Sequence, residues 1–254
     1  MKLLDLTFPS PAENLACDEV LLDAAEADVG GEVLRFWEPR EYFVVVGYAN
    51  KVAAEVNLVT CEARGTPILR RCSGGGTVVQ GPGCLNYTLV LHITADGPLH
   101  NISVANQFIM RQNRAALESA IRNSDKSRAR DESRCPQPAI AVRGHTDLAV
   151  RDRKFSGNSQ RRRKHFLLFH GTFLLNFDLA LVSELLPMPL KQPAYREHRA
   201  HAEFVINLNV PAEKVKAALR KAWKAEEPLK NPPVEKIKTL ARDKYASREW
   251  NFKF

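Results

Sequence analysis

The 254-residue chain is short of the features that place a protein quickly. No apolar run is long enough to cross a bilayer. The opening MKLLDLTFPSPAEN puts Asp5 and two prolines where a secretory signal needs unbroken apolar sequence. The expectation is a cytoplasmic protein with no membrane partner. The five cysteines, Cys17, Cys61, Cys72, Cys84 and Cys135, are scattered and odd in number. None forms a CxxC or a Cys/His pair at zinc spacing, so a disulfide scaffold and a zinc module are both excluded. Reduced thiols fit better. No RNA-binding signature, zinc finger or helix-turn-helix accompanies the net charge of +8, so no nucleic-acid partner is expected. There is no internal repeat, and 44% hydrophobic with 26% charged residues is not a disordered composition.

What remains is a chain long enough to bury a full core. Ser10-Pro11-Ala12-Glu13 predicts a capping box opening a helix to about Ala27, with Gly30-Gly31 ending it. Val33–Trp37 and Tyr42–Gly47 read as two strands joined by a hairpin-length turn. A helix is expected over 52–64, then a strand from Pro67. Leu85–Leu91 alternates as a strand. A long helix follows over 101–123, capped by Asn101 or Ser103, and residues 124–138 read as an exposed basic loop. Strands near 139–142 and 147–150, an apolar strand over 166–175, and helices over 178–186, 212–226 and 234–246 complete the pattern. Strands and helices in blocks, without strict alternation, argue for an α+β mixed sheet.

Four stretches carry chemistry. In Arg70-Arg71-Cys72-Ser73-Gly74-Gly75-Gly76 the glycines let backbone N–H groups approach a ligand with no Cβ in the way. The adjacent arginines could grip a carboxylate or phosphate. The competing reading is a surface hairpin. In Lys154-Phe155-Ser156-Gly157 the lysine could stabilise developing negative charge, or be an ordinary strand lysine. Asp147 could help hold Mg²⁺, or be a turn aspartate. His170-Gly171-Thr172 lies in an apolar strand, where a lone histidine reads as a hydrogen-bonded core residue. Gly171 suggests close backbone approach. Cys72 and Cys84 flank the glycine loop without a partner histidine. Cys135 sits among basic residues that would lower its pKa. An incidental thiol is the default for each. The basic runs Lys126–Arg134 and Arg151–Lys164 favour acidic partners. Arg161–Lys164 is either a docking site for an acidic carrier or a solvated hairpin.

Five segments occur in order: Arg70–Gly76, Leu85-Asn86-Tyr87, Thr146-Asp147-Leu148, Lys154–Gly157 and His170–Thr172. Asn14…Asp18-Glu19 precedes them and Lys244-Tyr245…Glu249-Trp250-Asn251 follows. Together they resemble the lipoate–protein ligase A family of the biotin/lipoate ligase superfamily. The resemblance implies an α+β fold of mixed, largely antiparallel sheets flanked by helices, similar to the class II aminoacyl-tRNA synthetase and biotin–lipoate ligase catalytic domain. It implies one catalytic domain over 1–254, with 206–254 as its helical C-terminal part and no separate accessory domain. It also implies ATP-dependent ligation: lipoate, ATP and Mg²⁺ give lipoyl-AMP, and the lipoyl group passes to a lysine of a carrier domain. Carriers of this kind are 2-oxoacid dehydrogenase acyltransferase subunits and the glycine-cleavage H protein. A separate accessory protein is a possible further partner. Lys154 would be catalytic. Arg71, Ser73, Gly74, Gly75, Gly76, Thr77, Asn86, Asp147, Ser156, Gly157, His170, Gly171 and Thr172 would bind substrate or adenylate, with Asp147 on Mg²⁺. Strands Tyr42–Gly47 and Leu85–Leu91 would line an acyl tunnel.

Two positions depart from the family pattern. Gln80 stands where many relatives have histidine, and Thr146 where many have asparagine. The alternative within the superfamily is an octanoyl or lipoyl transferase that uses a cysteine and no ATP. One family position for that cysteine, after the HGT strand, is empty here. The other falls near Ala139, four residues after Cys135. A second alternative is a non-catalytic binding relative.

Overall fold

The computed structural model describes residues 1–126 and 139–254. In chain order the strands are β1 (Lys2–Asp5), β2 (Val33–Trp37), β3 (Phe43–Val46), β4 (Ile68–Arg70), β5 (Val78–Gln80), β6 (Cys84–His92), β7 (Ile140–Arg143), β8 (Asp147–Val150), β9 (Arg153–Arg162), β10 (Phe166–Leu174) and β11 (Glu227–Pro228). The helices are α1 (Pro11–Glu26), α2 (Val52–Glu55), α3 (Leu58–Ala63), α4 (Ile102–Lys126), α5 (Ala180–Leu185), α6 (His201–Phe204), α7 (Ala212–Ala222), α8 (Val234–Leu240) and α9 (Arg248–Asn251). Eight strands form one sheet in the order β11-β1-β2-β6-β10-β9-β8-β7, parallel from β11 to β2 and antiparallel beyond. A second sheet, β4-β3-β5, has three strands. This is the mixed α+β architecture that the strand and helix blocks predict.

Alternation along the central strands decides what lies on each face. Leu34 and Phe36 of β2, Leu85, Tyr87, Leu89 and Leu91 of β6, and Leu167, Phe169 and Phe173 of β10 pack beneath α4 and α7. Val33 and Trp37, Val90, and Phe166 and Leu168 face the other way, towards α1, the small sheet and α8. Each such side chain stabilises the fold by about 1.5–3 kcal/mol on burial. The second face is not wholly apolar. Arg35, Asn86, Thr88 and His170 are buried on the same strands. Polar groups in a core need partners, and finding those partners locates the site.

The local signals that came true have visible causes. Ser10 Oγ accepts from the Glu13 amide at 3.2 Å, and Glu13 Oε2 accepts from the Ser10 amide at 3.0 Å, so the capping box opens α1. Asn101 caps α4 by accepting from the Val104 amide at 2.9 Å. Other expectations fail. β2 and β3 do not form a hairpin: β1 and β6 already flank β2, so β3 starts the small sheet. The helix expected over 52–64 is broken at Val56, which is extended and buried, and Asn57 caps a new helix. Asp28, at φ +59°, makes the left-handed exit of α1 ahead of the glycine pair. α4 continues past Asn123 to Lys126, and the rest of the 124–138 stretch lies outside the described residues. α8 passes into a π-helical turn, Ala241–Tyr245. Among the described residues no helix is long and apolar enough to cross a membrane.

Candidate active site

Sheet register lines up the polar residues in two rows. Gly157, Thr172, Asn86 and Trp37 lie side by side across β9, β10, β6 and β2. Two residues along the strands, a second row runs Ser159, His170, Thr88, Arg35. Above the rows sit α1, the small sheet and the glycine loop.

The second row is closed by hydrogen bonds. His170 Nδ1 lies 2.8 Å from Asp18 Oδ2 on α1, and its Nε2 lies 2.6 Å from Ser73 Oγ. A carboxylate can only accept, so Nδ1 carries a proton, and Nε2 shares a hydrogen bond with the serine hydroxyl. Asp18 Oδ1 also accepts from Arg35 at 2.6 Å and from Thr88 Oγ1 at 2.8 Å. Burial alone would raise the Asp18 pKa. Arg35, together with the His170 and Thr88 bonds, outweighs burial and holds it below the ordinary value. His170 is therefore the hydrogen-bonded core residue that its apolar strand suggested. Its partners Asp18 and Ser73 come from 152 and 97 residues away in the chain.

The glycine loop is held from below by Arg71. Arg71 donates to the carbonyls of Gly74 (2.5 Å), Gly76 (2.7 Å) and Val45 (3.3 Å). Burial lowers its pKa to about 10. Its guanidinium is thus occupied by the loop's own backbone, which leaves the expected two-pronged grip on a ligand without a free fork. Arg70 is buried deeper and donates to the carbonyls of Gly47, Tyr48, Asn50, Trp250 and Asn251. With its carbonyls turned inward and Gly75 at φ +84°, the loop leaves Gly74, Gly75 and Gly76 exposed. Their amide N–H groups donate to no acceptor among the described residues. Ser159 Oγ ties the loop to β9 through Gly74 O at 2.8 Å.

Lys154 stands at the other end of β9. Its Nζ lies 2.8 Å from Asp147 Oδ1, and the pair keeps 27% and 14% of its side-chain exposure. Tyr195 donates to Asp147 Oδ2 at 2.7 Å. A Cβ on Gly157 would stand 3.0 Å from Lys154 Nζ, so the glycine makes the space in which the lysine lies. Burial, then the neighbouring Asp147, pushes the Tyr195 pKa up and keeps it a donor. Asp147 has Lys154 on one oxygen and Tyr195 on the other. No three His, Cys, Asp or Glu side chains form a metal-binding group among the described residues. Asp147 is the carboxylate that would meet a Mg²⁺ ion there, and in this structure each of its oxygens already has a partner.

Other expected residues stand apart from the rows. Ser156 is buried and accepts from Asn158 Nδ2 at 3.2 Å. Thr77 donates to Glu55. A Cβ on Gly171 would fall on Asn158 Oδ1, so Gly171 makes room for that side chain. Thr146 and Asn158 bond each other twice, which fixes the turn leading to Asp147. Cys17, Cys72 and Cys84 are buried, and burial raises each thiol to about 12. Burial also raises Cys61. Cys135 lies outside the described residues. In the basic run at the β9–β10 turn, Arg161 and Arg162 are half-buried, and Arg163 and Lys164 are exposed. Arg161 donates to Cys72 O, Arg162 to Leu99 O and Arg163 to Asp23. Sequence reading missed Asp18, Arg35 and Tyr195 as partners; only Asp18 had a signal, in the Asn14…Asp18-Glu19 stretch.

Comparison with known proteins corrects the expected activity. Octanoyltransferase LipM of Geobacillus kaustophilus is 27% identical over 99% of this chain and 98% of its own length. Lipoate–protein ligase 1 of Staphylococcus aureus is 26% identical over 95% of this chain, which spans only 70% of that ligase. The relatives matched end to end are octanoyltransferases from several organisms, and this overturns the expectation of an ATP-dependent lipoate–protein ligase. A putative lipoate protein ligase of Thermoplasma acidophilum with bound lipoic acid shares the fold, with a TM-score of 0.74 at 22% identity over 99% of this chain and 98% of that one. The family model for the lipoyl protein ligase A/B catalytic domain matches residues 10–226, and the chain belongs to that family.

Proposed function

We propose that the chain is an acyltransferase that moves an octanoyl group from a thioester donor to the lysine of a lipoyl-carrier domain without ATP. The observation that carries this is the pairing of Lys154 with the free amides of Gly74–Gly76 at the two ends of one short stretch of β9. Gly157, beside Lys154, and Ser159, beside the loop, are two residues apart, about 7 Å along a strand. A cation and a row of backbone donors suit the oxyanion that forms when a thioester carbonyl is attacked. A transferase receives its acyl group already activated, so ATP and Mg²⁺ have no step to perform.

Four of the five thiols are buried and held protonated, which makes Cys135 the acyl-carrying thiol. Its thiolate attacks the donor carbonyl carbon, the donor thiolate leaves, and an acyl-Cys135 thioester forms. The carrier lysine, as a free amine, then attacks that carbonyl; Cys135 thiolate leaves, the proton released by the amine passes to it, and the amide remains. Lys154 and the loop amides hold the oxygen in both steps. Asp147, itself held by Tyr195, keeps Lys154 aimed.

The test is transfer of octanoyl from an octanoyl-carrier protein to an apo lipoyl domain, followed by mass, with no ATP. The expected result is a lysine-modified product and an acylated Cys135 peptide when the acceptor is withheld. Product that forms only with ATP sinks the reading. Product that survives Cys135→Ala removes the covalent step and leaves direct attack by the lysine.

A further inference from the structure

Between the two polar rows lies a third, Asn158, Gly171, Tyr87 and Phe36 across β9, β10, β6 and β2. Tyr87 and Phe36 point to the opposite face of the sheet, beneath α4 and α7. Asn158 and Tyr87 are two strands apart, roughly 10 Å at ordinary strand spacing. Gly171 stands between them without a side chain, and over it the Tyr87 hydroxyl donates to Asn158 Oδ1 at 2.6 Å. Asn113 of α4 donates to the Tyr87 oxygen at 2.8 Å. The indole of Trp223, which closes α7, donates to Asn113 Oδ1 at 2.8 Å. At the other end, Asn158 Nδ2 donates to the Thr146 carbonyl at 2.5 Å, one residue before Asp147.

Both ends of this chain of bonds fix its direction. An indole N–H only donates, and a carbonyl only accepts. Neither carboxamide can turn over without losing its end contact, so Tyr87 donates to Asn158 and accepts from Asn113. Burial pushes the Tyr87 phenol well above its ordinary pKa and keeps it a donor. Tyr87 and Asn113 are 1% and 0% exposed, so bulk solvent does not replace a partner lost there. The Tyr87 ring itself is held separately, stacked on Phe173 with centroids 5.0 Å apart.

We infer that Tyr87 is a positioning residue for Lys154, acting from the far face of the sheet through Asn158 and the turn before Asp147. The inference rests on the acyl-transfer reading, in which Lys154 meets the oxyanion. Asn158 serves the lysine twice. Its two bonds to Thr146 hold the turn that brings Asp147 Oδ1 to 2.8 Å from Lys154 Nζ. Its neighbour Gly157 leaves the space in which that Nζ lies. Without the Tyr87 hydroxyl, Asn158 Oδ1 and Asn113 Nδ2 lose their partner, and nothing stops Asn158 from turning away from Thr146. A displaced Lys154 then costs rate, because its work is done at the moment charge develops.

The experiment compares octanoyl transfer by wild type, Tyr87→Phe, Lys154→Ala and the double variant. Tyr87→Phe retains the stacked ring and lowers kcat about tenfold, with KM for the carrier domain unchanged. In the Lys154→Ala background the same change costs less than about twofold, because no lysine remains to be positioned. Equal losses in the two backgrounds, or no loss in either, overturn the proposal. Trp223→Phe acts at the half-buried end of the chain of bonds and decides the matter by the same comparison should Tyr87→Phe fold poorly. A second readout needs no transfer. Labelling of Lys154 by acetic anhydride, read by mass against the exposed Lys230, rises severalfold in Tyr87→Phe as the lysine comes away from Asp147. Unchanged labelling overturns the proposal. A wild type that transfers nothing removes the transferase reading instead, and the labelling then decides this one.

Discussion

Arg70 and Lys154 are both cations beside the candidate site, and they are held in opposite ways. Arg70 is fully buried and donates to five backbone carbonyls drawn from two distant parts of the chain. Lys154 has one carboxylate partner and keeps about a quarter of its exposure. A cation whose donors are all engaged builds the frame; one held by a single partner with room around it can meet a substrate. Sequence treats them alike, since each is a basic residue a few positions before a glycine.

That contrast can be tested from its strong end to its weak one. Arg70→Met leaves several buried carbonyls without a donor and should lower stability by about 3–5 kcal/mol in urea unfolding. A loss under ~1 kcal/mol would show that the frame does not depend on it. Lys154→Ala should behave in reverse. Transfer falls about 10²–10³-fold, as when one oxyanion donor is removed, or about 2.7–4 kcal/mol. The unfolding midpoint barely moves. Equal losses in rate and stability would erase the distinction.

Asp18 stands between these extremes, because it is framework with a charge that can be titrated. Its folded pKa is depressed, so its stabilising contribution is complete above the unfolded value near 4 and disappears as pH falls through the folded value. Wild type should therefore lose this stability only in strong acid. Asp18→Asn should already lack about 1.5–3 kcal/mol at pH 7, the worth of hydrogen bonds to a charged group. It should also show a flatter decline below pH 4. Parallel acid curves for the two proteins would assign the acid sensitivity elsewhere.

Tyr195→Phe should slow transfer about tenfold, roughly 1.4 kcal/mol, with stability unchanged. An unaltered rate would mean that Asp147 holds Lys154 unaided. Smallest of all, reversing Arg163 should cost less than ~1 kcal/mol. Its charge is already paired with Asp23, so the salt dependence of transfer should stay as it is. A marked change in that dependence would return the β9–β10 turn to consideration as a carrier contact.

Much of this frame is legible in the residues themselves. Ser10 and Glu13 announce α1, the apolar alternation announces β6 and β10, and the ordered motifs indicate the family. The rest depends on pairing between distant segments. Nothing local says that β2 and β3 part into different sheets, since that follows from β1 and β6 flanking β2. Nothing local says that Arg71 serves its own loop, since its direction is set by carbonyls that fold back beneath it. The row of Gly157, Thr172, Asn86 and Trp37 exists only in the register of β9, β10, β6 and β2. Activity was misread for a related reason: glycine loop, lysine segment and HGT strand serve acyl transfer as well as acyl activation.

The brace on Arg70 also sets a schedule. Arg70 NεH is received by the carbonyl of Trp250, and the Trp250 indole donates back to the Arg70 carbonyl, 180 residues away. At ordinary synthesis rates that interval takes roughly 10–35 s on the ribosome. A nascent chain therefore carries Lys154, Asp147 and the three glycines before Arg70 meets its last backbone partners.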